Sequence, residues 1–454
     1  MQIINPATEE VIAHLEEDRQ PALNAKFKLL KQAQPIWAEK SLNERINIIS
    51  TFSSFLEAEI ERLAATLTSE VGKPLQQARN EINGARSRIK WMLSNAEKYL
   101  SDEIMVEEPG LKEIIKYEPL GVVCNISAWN YPYLVGVNVF IPALLNGNAV
   151  MYKPSEYATL TGLEIEKLLK KAGVPDEVFQ IAIGGGQTGA ELLKLDFDGY
   201  FFTGSYKTGK LIYEAVATKM VPCQLELGGK DPLYVAEDVS DVENTAMATA
   251  DGAFYNNGQS CCSVERIYVH KQQYDAYLSA FVKEVQSWKV GSPTDSDTYL
   301  GALTRKEQIG VLQNQVNDAL AKGAKLLYGG KPIANKGYFF EPTVLSEVTN
   351  DMLVMQEESF GPIIGIMKVE NDEEALKMMQ DTNYGLTASI YTADQKRAES
   401  LLSKLDAGSG YWNCCDRVSA ALPWSGRKYS GIGATLSHQG LRVFSKPKAY
   451  HLRG

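Results

Sequence analysis

Apolar residues in the first hundred positions of the chain recur at three- and four-residue steps. The clearest run comprises Leu56, Ile60, Leu63, Leu67 and Val71. A glycine and a proline, Gly72 and Pro74, follow this run directly. Spacing of this kind puts apolar side chains on one face of a helix, and glycine and proline end helices. The pattern predicts helices from about Pro21 to Leu100.

The pattern changes to short β-like runs between residues 101 and 119. Ile104-Met105-Val106 and Ile114-Ile115 lie on either side of a Pro109-Gly110 turn. Such runs around a turn predict a β-hairpin that protrudes from the helical region. The last residues, Phe444 to Arg453, alternate in the same way, so we expect a strand that pairs with another strand.

Strand-like and helix-like segments alternate between Gly121 and Gly228. The strand-like runs are Val122–Ile126, Ala149–Tyr152, Phe179–Ile183 and Tyr200–Phe202. The predicted helices are Leu160–Ala172 and Gly209–Ala217. This alternation is typical of a parallel, doubly wound sheet, and such sheets bind ligands beyond the carboxyl ends of their strands.

A second region of the same kind runs from Lys230 to about Arg427. Its predicted helices are Val242–Phe254, Gln272–Trp288, Lys306–Lys322, Glu373–Gln380 and Lys396–Lys404. Its strand-like runs are Arg266–Val269, Ala324–Leu327, Ile363–Lys368 and Ala388–Tyr391. We therefore expect an α/β fold in which two domains pack together, with a cleft where their strand ends meet.

Composition and charge narrow the function classes. The chain has 454 residues, more than one hydrophobic core usually supports. Its formal charge is −10, from 46 basic and 56 acidic side chains that are interspersed, which argues against a nucleic-acid or anionic-membrane partner. The N-terminus lacks a signal-peptide pattern, and the longest apolar segment, Leu134 to Leu145, is too short to span a bilayer.

The six cysteines are too sparse for a disulfide framework, which favours a reducing, cytoplasmic compartment. Cys261-Cys262 follows an Asn/Gly-rich turn, and a thiol presented at a turn can act as a nucleophile once it is a thiolate. The alternative is a buried structural cysteine. None of the four histidines lies near this stretch in sequence, so a Cys–His hydrolase or a histidine metal site is poorly supported, and no metal is expected.

Two glycine-containing turns follow predicted strands of the first α/β region. Residues 184–189 match G-x-G-x-x-G, but the acidic residue expected about 20 positions later in a dinucleotide fingerprint is missing. A tight strand-to-helix turn explains this pattern equally well. The second turn, Phe202-Thr203-Gly204-Ser205, also opens a helix, where backbone N–H groups can meet a diphosphate.

Three further positions carry candidate chemistry. Lys153 and Glu156, three residues apart at a strand end, can both hydrogen-bond a ribose diol, and Glu156 would favour NAD over NADP by repelling a 2′-phosphate. A solvated helix start is the alternative there. Glu226 lies in an apolar run, where desolvation raises a carboxyl pKa toward that of a general base, unless it is a buried structural glutamate. Asn130 follows a strand and can offer N–H groups to an oxyanion.

Taken together, these stretches resemble the NAD(P)-dependent aldehyde dehydrogenase superfamily over nearly the whole chain. The two most specific matches are L-E-L-G-G-K at 225–230, and F-x-N-x-G-Q-x-C at 254–261 with the later Arg266. Supporting matches lie at 128–132, 153–156, 202–205, 357–362 and 423–426. The resemblance implies an NAD(P)-dependent oxidoreductase that converts an aldehyde to a carboxylate.

The resemblance also implies a domain organisation. A Rossmann-type cofactor domain would cover residues 1–100 and 120–228, and an α/β catalytic domain would cover 229–427. A small β oligomerisation element would comprise 101–119 and 428–454, and the family expectation is a homodimer or homotetramer. An unpaired strand in the hairpin or the tail would be a liability that assembly removes.

The same resemblance implies roles for individual residues. Cys261 would be the nucleophile, Glu226 the general base that hydrolyses the thioester, and Asn130 part of the oxyanion hole. The cofactor, NAD with NADP as the alternative, would contact Trp129, Lys153, Ser155, Glu156, Gly204, Ser205, Glu358 and Phe360. The family binds its cofactor around the later glycine turn, which makes the pattern at 184–189 a weaker candidate for the cofactor site.

The expected substrate is a small aliphatic, aromatic or semialdehyde molecule in a fairly apolar tunnel. The tunnel would be formed by Tyr131, Leu134, Tyr255, Val418 and Trp424. Tyr255 stands where succinate-semialdehyde members carry a substrate-binding arginine, which counts against a specialist of that kind. Arg417 could meet an anionic substrate, with a surface arginine as the alternative. Two other functions stay open: a CoA-acylating semialdehyde dehydrogenase, which Glu226 disfavours, and a non-catalytic NAD-binding homologue.

Overall fold

A computed structural model describes residues 1–334 and 336–454. Its α-helices, in order from α1 to α15, are Gln20–Glu39, Leu42–Ala58, Ile60–Val71, Leu75–Leu100, Pro132–Leu145, Thr159–Ala172, Gly186–Leu192, Tyr206–Ala217, Val242–Phe254, Tyr274–Ser287, Lys306–Ala321, Leu353–Gln356, Asp372–Gln380, Gln395–Leu402 and Ser437–Arg442. Its strands, in order from β1 to β22, are Gln2–Asn5, Glu10–His14, Glu103–Glu108, Leu111–Pro119, Val122–Ile126, Ala149–Lys153, Phe179–Ile181, Gly199–Thr203, Cys223–Glu226, Asp231–Val235, Val264–His270, Lys289–Val290, Thr298–Leu300, Lys325–Tyr328, Thr343–Ser346, Ile363–Val369, Tyr384–Gly385, Thr387–Tyr391, Ser409–Trp412, Arg427–Lys428, Gly431–Ile432 and Ser445–Arg453.

The predicted helical region at the N-terminus is confirmed as the four helices α1 to α4. Their apolar faces are buried, including the whole side chains of Trp37, Phe52 and Leu67. Ser41 begins α2 with a capping box, in which its side chain and that of Glu44 each accept from the other's backbone N–H. Burial of these faces against the first sheet stabilises helices that would be marginal alone.

The first sheet has the order β21-β9-β8-β5-β6-β7. The five strands from β9 to β7 pair in parallel, and only the short β21 is antiparallel. This is the parallel sheet that the alternating pattern predicted, and its strand order is of the Rossmann type that the resemblance implied. Helix α5 packs against it and is apolar on nearly all sides, so its sequence carries no helical periodicity and did not predict a helix.

The second sheet has the order β14-β15-β16-β11-β10-β18-β19. Its strands are parallel except for β14, which runs antiparallel to β15 at one edge. The five central strands of this sheet are buried on both faces, as in α/β proteins generally; they are β15, β16, β11, β10 and β18. The predicted α/β class is therefore confirmed for both regions.

The hairpin and the C-terminal tail form a third sheet, in the order β22-β4-β3. Strand β22 pairs antiparallel with β4 from Ser445↔Pro119 to Arg453↔Leu111. The tail therefore finds its partner within the same chain. Ile104 and Met105 on the edge strand β3 remain 54% and 58% exposed, so this sheet still has an uncovered apolar surface.

The chain crosses from the first sheet to the second within a few residues. Strand β9 ends at Glu226 and β10 begins at Asp231. Neither strand was predicted, because each is short and the intervening Gly228-Gly229 resembles a turn. The strands divide between the two sheets near residue 228, except that the short β21 returns to the first sheet. The domain boundaries given above stay a prediction, since strand pairing alone does not define folding units.

The turn after α3 provides a test of this packing. Gly72 has φ +78°, and a Cβ there would lie 2.7 Å from the carbonyl oxygen of Ala302. We expect Gly72→Ala to lower the free energy of unfolding by about 1–2 kcal/mol or more, because both the positive φ and the contact oppose a side chain. Gly310→Ala is the matched control: Gly310 lies in α11, and a Cβ added there would meet no atom within 4 Å, so we expect a gain of about 0.5–1 kcal/mol. Thermal unfolding of both variants measures the contrast, and a neutral Gly72→Ala would contradict it.

Candidate active site

Two cavities meet in the centre of the molecule. The helical cavity, lined by α4 and α5, has a volume of about 540 Å³. The sheet cavity, lined by the strand ends of the first sheet and by α8, has a volume of about 530 Å³. Four residues line both cavities, namely Thr203, Glu226, Leu227 and Cys261. A group bound in one cavity can therefore reach a group bound in the other only at this boundary.

Strand ends from both sheets surround the boundary. Lys153, Thr203 and Glu226 are the last residues of β6, β8 and β9, so the first sheet contributes its carboxyl ends, as expected of a doubly wound sheet. The second sheet contributes its amino ends, because Cys261 lies shortly before β11 and Lys230 directly before β10. The predicted cleft between strand ends therefore joins opposite ends of the two sheets.

The turn before Cys261 has an unusual backbone. Asn256, Asn257 and Gly258 all have positive φ, at 55°, 59° and 66°. Asparagine and glycine tolerate this conformation better than other residues. Side-chain hydrogen bonds fix the turn: Asn256 Nδ2 donates to Gln259 O at 3.1 Å, and Asn257 Nδ2 donates to Gly301 O at 3.0 Å. The Asn/Gly-rich motif thus determines where the thiol lies.

The two adjacent thiols occupy different environments. Cys261 is half-buried and faces both cavities, and no hydrogen-bond acceptor for its backbone N–H occurs among the described residues. Cys262 is buried, and its Sγ donates to Asp416 Oδ1 at 3.0 Å. Its hydrogen bond with Cys261 and its burial hold the pKa of Cys262 well above the usual thiol value. Cys261 is therefore the thiol available for reaction.

Glu226 has an incompletely paired carboxyl group. One oxygen, Oε1, accepts weakly from Gln224 Nε2 at 3.4 Å and from Thr435 Oγ1 at 3.5 Å. The other oxygen, Oε2, is buried and has no hydrogen-bond partner in the part of the chain that the structure describes. Burial raises the pKa of Glu226 to about 8. A carboxyl group with such a pKa, in contact with both cavities, is suited to accept a proton near neutral pH.

A buried ion pair holds Asn130 beside Cys261. Lys73 Nζ pairs with Glu81 and also donates to Asn130 O at 2.7 Å. Glu81 Oε1 in turn accepts from Tyr133 N at 2.8 Å, which fixes the start of α5. Asn130 Nδ2 donates one hydrogen to Gln259 O at 3.1 Å, and its second N–H is available to a ligand. The sequence did not predict the contribution of Lys73 or Glu81, because they lie about fifty residues from Asn130 in the chain.

The sheet cavity contains every residue that the sequence assigned to a cofactor. They are Trp129, Lys153, Ser155, Glu156, Gly204, Ser205, Glu358 and Phe360. Lys153 Nζ is buried, lies 4.0 Å from a Glu156 oxygen and donates to Pro154 O at 3.2 Å, which leaves hydrogens free for a diol. Burial lowers the pKa of Lys153, which is offset in part by Glu156. Lys153 and Glu156 therefore fit a ribose.

The rest of the sheet cavity fits a dinucleotide as well. Ser205 begins helix α8 and accepts from Thr208 N, and Gly204, Ser205 and Thr208 all line the cavity, so the N-terminus of this helix lies against it. Glu358 Oε1 accepts from Gly229 N at 3.0 Å, and a Cβ on Gly228 would lie only 2.3 Å from the same oxygen. Burial raises the pKa of Glu358 to about 8. These residues can hold a diphosphate and a second ribose.

The glycine pattern at 184–189 contributes less. Gly186 and Gly189 line the sheet cavity, but a Cβ on Gly185 or Gly186 would meet no atom within 4 Å. The site therefore does not need glycine there for close approach to its own backbone. None of the histidines lines either cavity. Within residues 1–334 and 336–454, no group of three or more metal-ligating side chains is present and no helix is long and apolar enough to cross a membrane.

The signature residue Lys230 is buried in a second ion pair. Its Nζ donates to Glu265 Oε2 at 2.6 Å and to Ser359 Oγ at 3.0 Å. Glu265 also accepts from the backbone N–H groups of Ser359 and Phe360, at 3.0 Å each. Arg266 Nε donates to Lys230 O at 2.9 Å. These contacts tie the crossing between the sheets to the segment that carries Glu358 and Phe360.

The helical cavity contains the five residues predicted to form a tunnel. They are Tyr131, Leu134, Tyr255, Val418 and Trp424. It also contains the exposed Arg417, which the sequence analysis considered as a contact for an anionic substrate. Four further charged residues of the cavity were not predicted from the sequence, namely Glu81, Arg88, Asp251 and Asp416. A signal existed for the first two: Gln77, Glu81, Gly84 and Arg88 have the spacing of one helix face, and a polar stripe on an interior helix points to a cavity.

Comparisons with known proteins agree with this geometry. A model of the aldehyde dehydrogenase family matches residues 1–450. The 3,6-anhydro-alpha-L-galactose dehydrogenase of Vibrio sp. (strain EJY3) is 34% identical over 99% of this chain and 95% of its own length. Aldehyde dehydrogenase 1A1 of Oryctolagus cuniculus is 34% identical over 98% of this chain and 91% of its own length. A solved structure of 3,6-anhydro-L-galactose dehydrogenase in complex with NAP superposes with a TM-score of 0.95 and 32% identity, over 100% of this chain and 96% of that one.

Proposed function

Because the chain belongs to the aldehyde dehydrogenase family, and is therefore an NAD(P)-dependent oxidoreductase acting on aldehydes, we propose that Cys261, Glu226 and Asn130 carry out its reaction. The observation that supports this assignment most directly is the boundary between the cavities. Cys261 and Glu226 are accessible from both the helical and the sheet cavity. We assign the aldehyde to the helical cavity and the dinucleotide to the sheet cavity.

The reaction begins with attack of the Cys261 thiolate on the aldehyde carbonyl carbon. The C=O bond becomes a C–O⁻ single bond as the S–C bond forms. Two N–H groups beside the thiol make no other hydrogen bond among the described residues and can donate to this oxyanion. They are the backbone N–H of Cys261 and the second N–H of Asn130. Donors aimed at a developing oxyanion lower the barrier of such a step. The Lys73–Glu81 pair keeps Asn130 in place.

Oxidation then removes a hydride from the former carbonyl carbon and leaves a thioester on Cys261. NAD(P)⁺ supplies the hydride acceptor when it is bound. The chain contributes orientation: Lys153 and Glu156 hold one ribose, the start of α8 holds the diphosphate, and Glu358 and Phe360 hold the nicotinamide end. A fixed distance between donor and acceptor carbon is the main protein contribution to hydride transfer.

Hydrolysis completes the cycle. Glu226 takes a proton from a water molecule, the hydroxide attacks the thioester carbon, and the S–C bond breaks to release a carboxylate and the Cys261 thiolate. The balance is RCHO + NAD(P)⁺ + H₂O → RCOO⁻ + NAD(P)H + 2H⁺. Covalent catalysis divides a difficult oxidation into two easier steps. Transfer to coenzyme A is not favoured, because Glu226 offers a base to water at the thioester, and a non-catalytic role is not favoured, because all three residues are present.

We propose NAD as the preferred form of the cofactor. The Glu156 carboxylate lies 4.0 Å from Lys153 Nζ and faces the sheet cavity, where a 2′-phosphate would approach it.

All six cysteines are free, and Cys261 must stay reduced to act, so we place the enzyme in the cytoplasm. We also propose a homodimer or homotetramer that uses the exposed apolar edge of the β22-β4-β3 sheet.

Replacement of the proposed base tests the division of roles. We expect Glu226→Gln to retain a burst of one NADH per site and to lower steady-state kcat by about 10²–10⁴-fold, because only hydrolysis needs the base. Since the base acts deprotonated and burial raises the pKa of Glu226 to about 8, wild-type hydrolysis should increase with pH up to about 8 and level off above it. Glu226→Gln should lack this rise.

The matched control for that experiment is Cys261→Ala, in which neither a burst nor turnover should occur while NAD still binds, as measured by calorimetry. Stopped-flow absorbance at several pH values records both phases. Loss of the burst itself in Glu226→Gln would contradict the assigned role, and normal turnover in Cys261→Ala would refute the nucleophile.

The cofactor preference can be tested at Glu156. We expect the wild-type enzyme to have a higher kcat/KM with NAD than with NADP, because a carboxylate repels a 2′-phosphate. Glu156→Gln should reduce this ratio by about 10-fold, which corresponds to about 1.4 kcal/mol. Glu358→Gln, at the other end of the same cavity, is the control and should not change the ratio selectively. A ratio that is unaffected by Glu156→Gln would refute the discrimination.

The assembly can be tested at the edge strand. We expect Met105→Glu to shift the protein toward smaller species, because a charge in an apolar interface is costly. Met220→Glu, at an isolated position that is 92% exposed, should leave the mass unchanged. Light scattering after size-exclusion chromatography measures the mass, and a monomeric wild type would overturn the proposal.

A further inference from the structure

Arg88 is the feature of the helical cavity that the reaction above does not use. It extends from α4 into the same cavity as Cys261. Its Nη1 donates to Leu134 O at 3.1 Å and to Asn138 Oδ1 at 3.0 Å, so α5 fixes the direction of the guanidinium. The other N–H groups of the fork make no hydrogen bond to any described residue. The guanidinium of Arg88 therefore has a fixed direction and N–H groups that can still donate to a ligand.

No carboxylate neutralises this guanidinium. Among residues 1–334 and 336–454, no Asp or Glu oxygen lies within 4.0 Å of Arg88. Burial lowers the pKa of Arg88 to about 10, and Cys262, Cys261 and Glu81 offset this in part. It is still a cation at neutral pH. Arg88 is half-buried and donates only to two neutral oxygens, so its charge is available to an anionic ligand in the cavity.

Apart from Glu226, the acidic residues that line the cavity have partners elsewhere. Glu81 pairs with Lys73, Asp251 accepts from Tyr299 Oη, and Asp416 accepts from Cys262 Sγ. Burial, followed by the adjacent Cys262, holds the pKa of Asp416 well above its usual range, which reduces its negative charge. Arg417, the other arginine of the cavity, is exposed. Arg88 is thus the cation that a bound anion would meet inside.

We propose that Arg88 binds the carboxylate of the aldehyde substrate, so that the enzyme oxidises short ω-oxocarboxylates. This inference rests on the assignment of the aldehyde to the helical cavity. Two of the three free N–H groups on the planar fork match the two oxygens of a carboxylate. With the aldehyde carbon at Cys261 and the carboxylate at Arg88, the two ends of the substrate are fixed, which positions the carbonyl for attack. Tyr255 offers no charge, and in this chain α4 supplies the cation instead.

The first experiment measures selectivity. For the wild type, Arg88→Met and Arg88→Lys, kcat/KM is determined for oxocarboxylates of three to six carbons and for the uncharged alkanals of equal length. We expect Arg88→Met to reduce the ratio of oxocarboxylate to alkanal by about 30-fold or more at the best chain length, the loss typical of truncating one partner of a buried charge pair. Arg88→Lys should restore part of the ratio. Arg417→Met is the matched control and should change it less than about 3-fold, as expected of an exposed charge.

The second experiment does not depend on aldehyde oxidation or on the cofactor. Iodoacetate and iodoacetamide alkylate the same thiol and differ in charge, and peptide mass spectrometry separates Cys261 from Cys262. We expect the ratio of iodoacetate to iodoacetamide rates at Cys261 to fall by about 10-fold or more in Arg88→Met. If Arg88 only favours the thiolate, both reagents slow equally and the proposal is wrong. The proposal is also overturned if Arg88→Met changes neither the ratio of oxocarboxylate to alkanal nor the ratio of iodoacetate to iodoacetamide. It is likewise overturned if Arg417→Met lowers these ratios as much as Arg88→Met does.

Failure of this inference is distinguishable from failure of the proposed function. An enzyme that oxidises alkanals with a Cys261-dependent NADH burst, but shows no Arg88-dependent selectivity, retains the proposed function and loses the carboxylate site. An enzyme that oxidises neither series, yet shows charge-selective alkylation that depends on Arg88, retains an anion site and loses the assignment of the substrate.

Discussion

The buried ion pair between Lys230 and Glu265 is the interaction on which the geometry of the site depends. It lies where the chain leaves the first sheet and enters the second, between Glu226 at the end of β9 and Asp231 at the start of β10. Glu265 also fixes the backbone of Ser359 and Phe360. One carboxylate therefore sets the relative positions of Glu226, the segment that carries Glu358 and Phe360, and the strand that follows Cys261. A buried pair of this kind is costly to break from one side, because the remaining charge loses its partner.

The sequence predicted elements with a clear hydrophobic pattern and missed those without one. The first four helices have an amphipathic period, and most central strands are short, continuous apolar runs between helices, so both kinds of element can be recognised locally. Helix α5 is apolar all round, and β9 and β10 are brief segments beside a double glycine, so no period could reveal them. The C-terminal strand was predicted, but its partner β4 lies more than three hundred residues earlier, a pairing that only tertiary structure settles.

Residues of the candidate site could likewise be predicted where they lie in a local sequence motif, and not where they depend on tertiary contacts. Cys261, Glu226 and the glycine turn at 204 were found because each lies in a short motif with a local physical reason. Lys73, which lies just before α4, and Glu81 and Arg88 on α4 were not, because the roles proposed for them arise from contacts with distant segments. The Lys230–Glu265 pair shows the opposite case: the motif was recognised, while the function of its lysine as a structural cation became visible only in three dimensions.

The volume of the helical cavity has a consequence for hydration. At about 30 Å³ for each molecule of liquid water, a space of about 540 Å³ accommodates a short aldehyde and a pool of water together. The polar side chains of α4 and the carboxyl groups near the mouth give that pool hydrogen-bond partners. If Glu226 is the base proposed above, the water that it activates needs no channel of its own, because the space left beside a small substrate has room for it. A bulkier substrate would displace this supply, and the enzyme would then select against large aldehydes at hydrolysis as well as at binding.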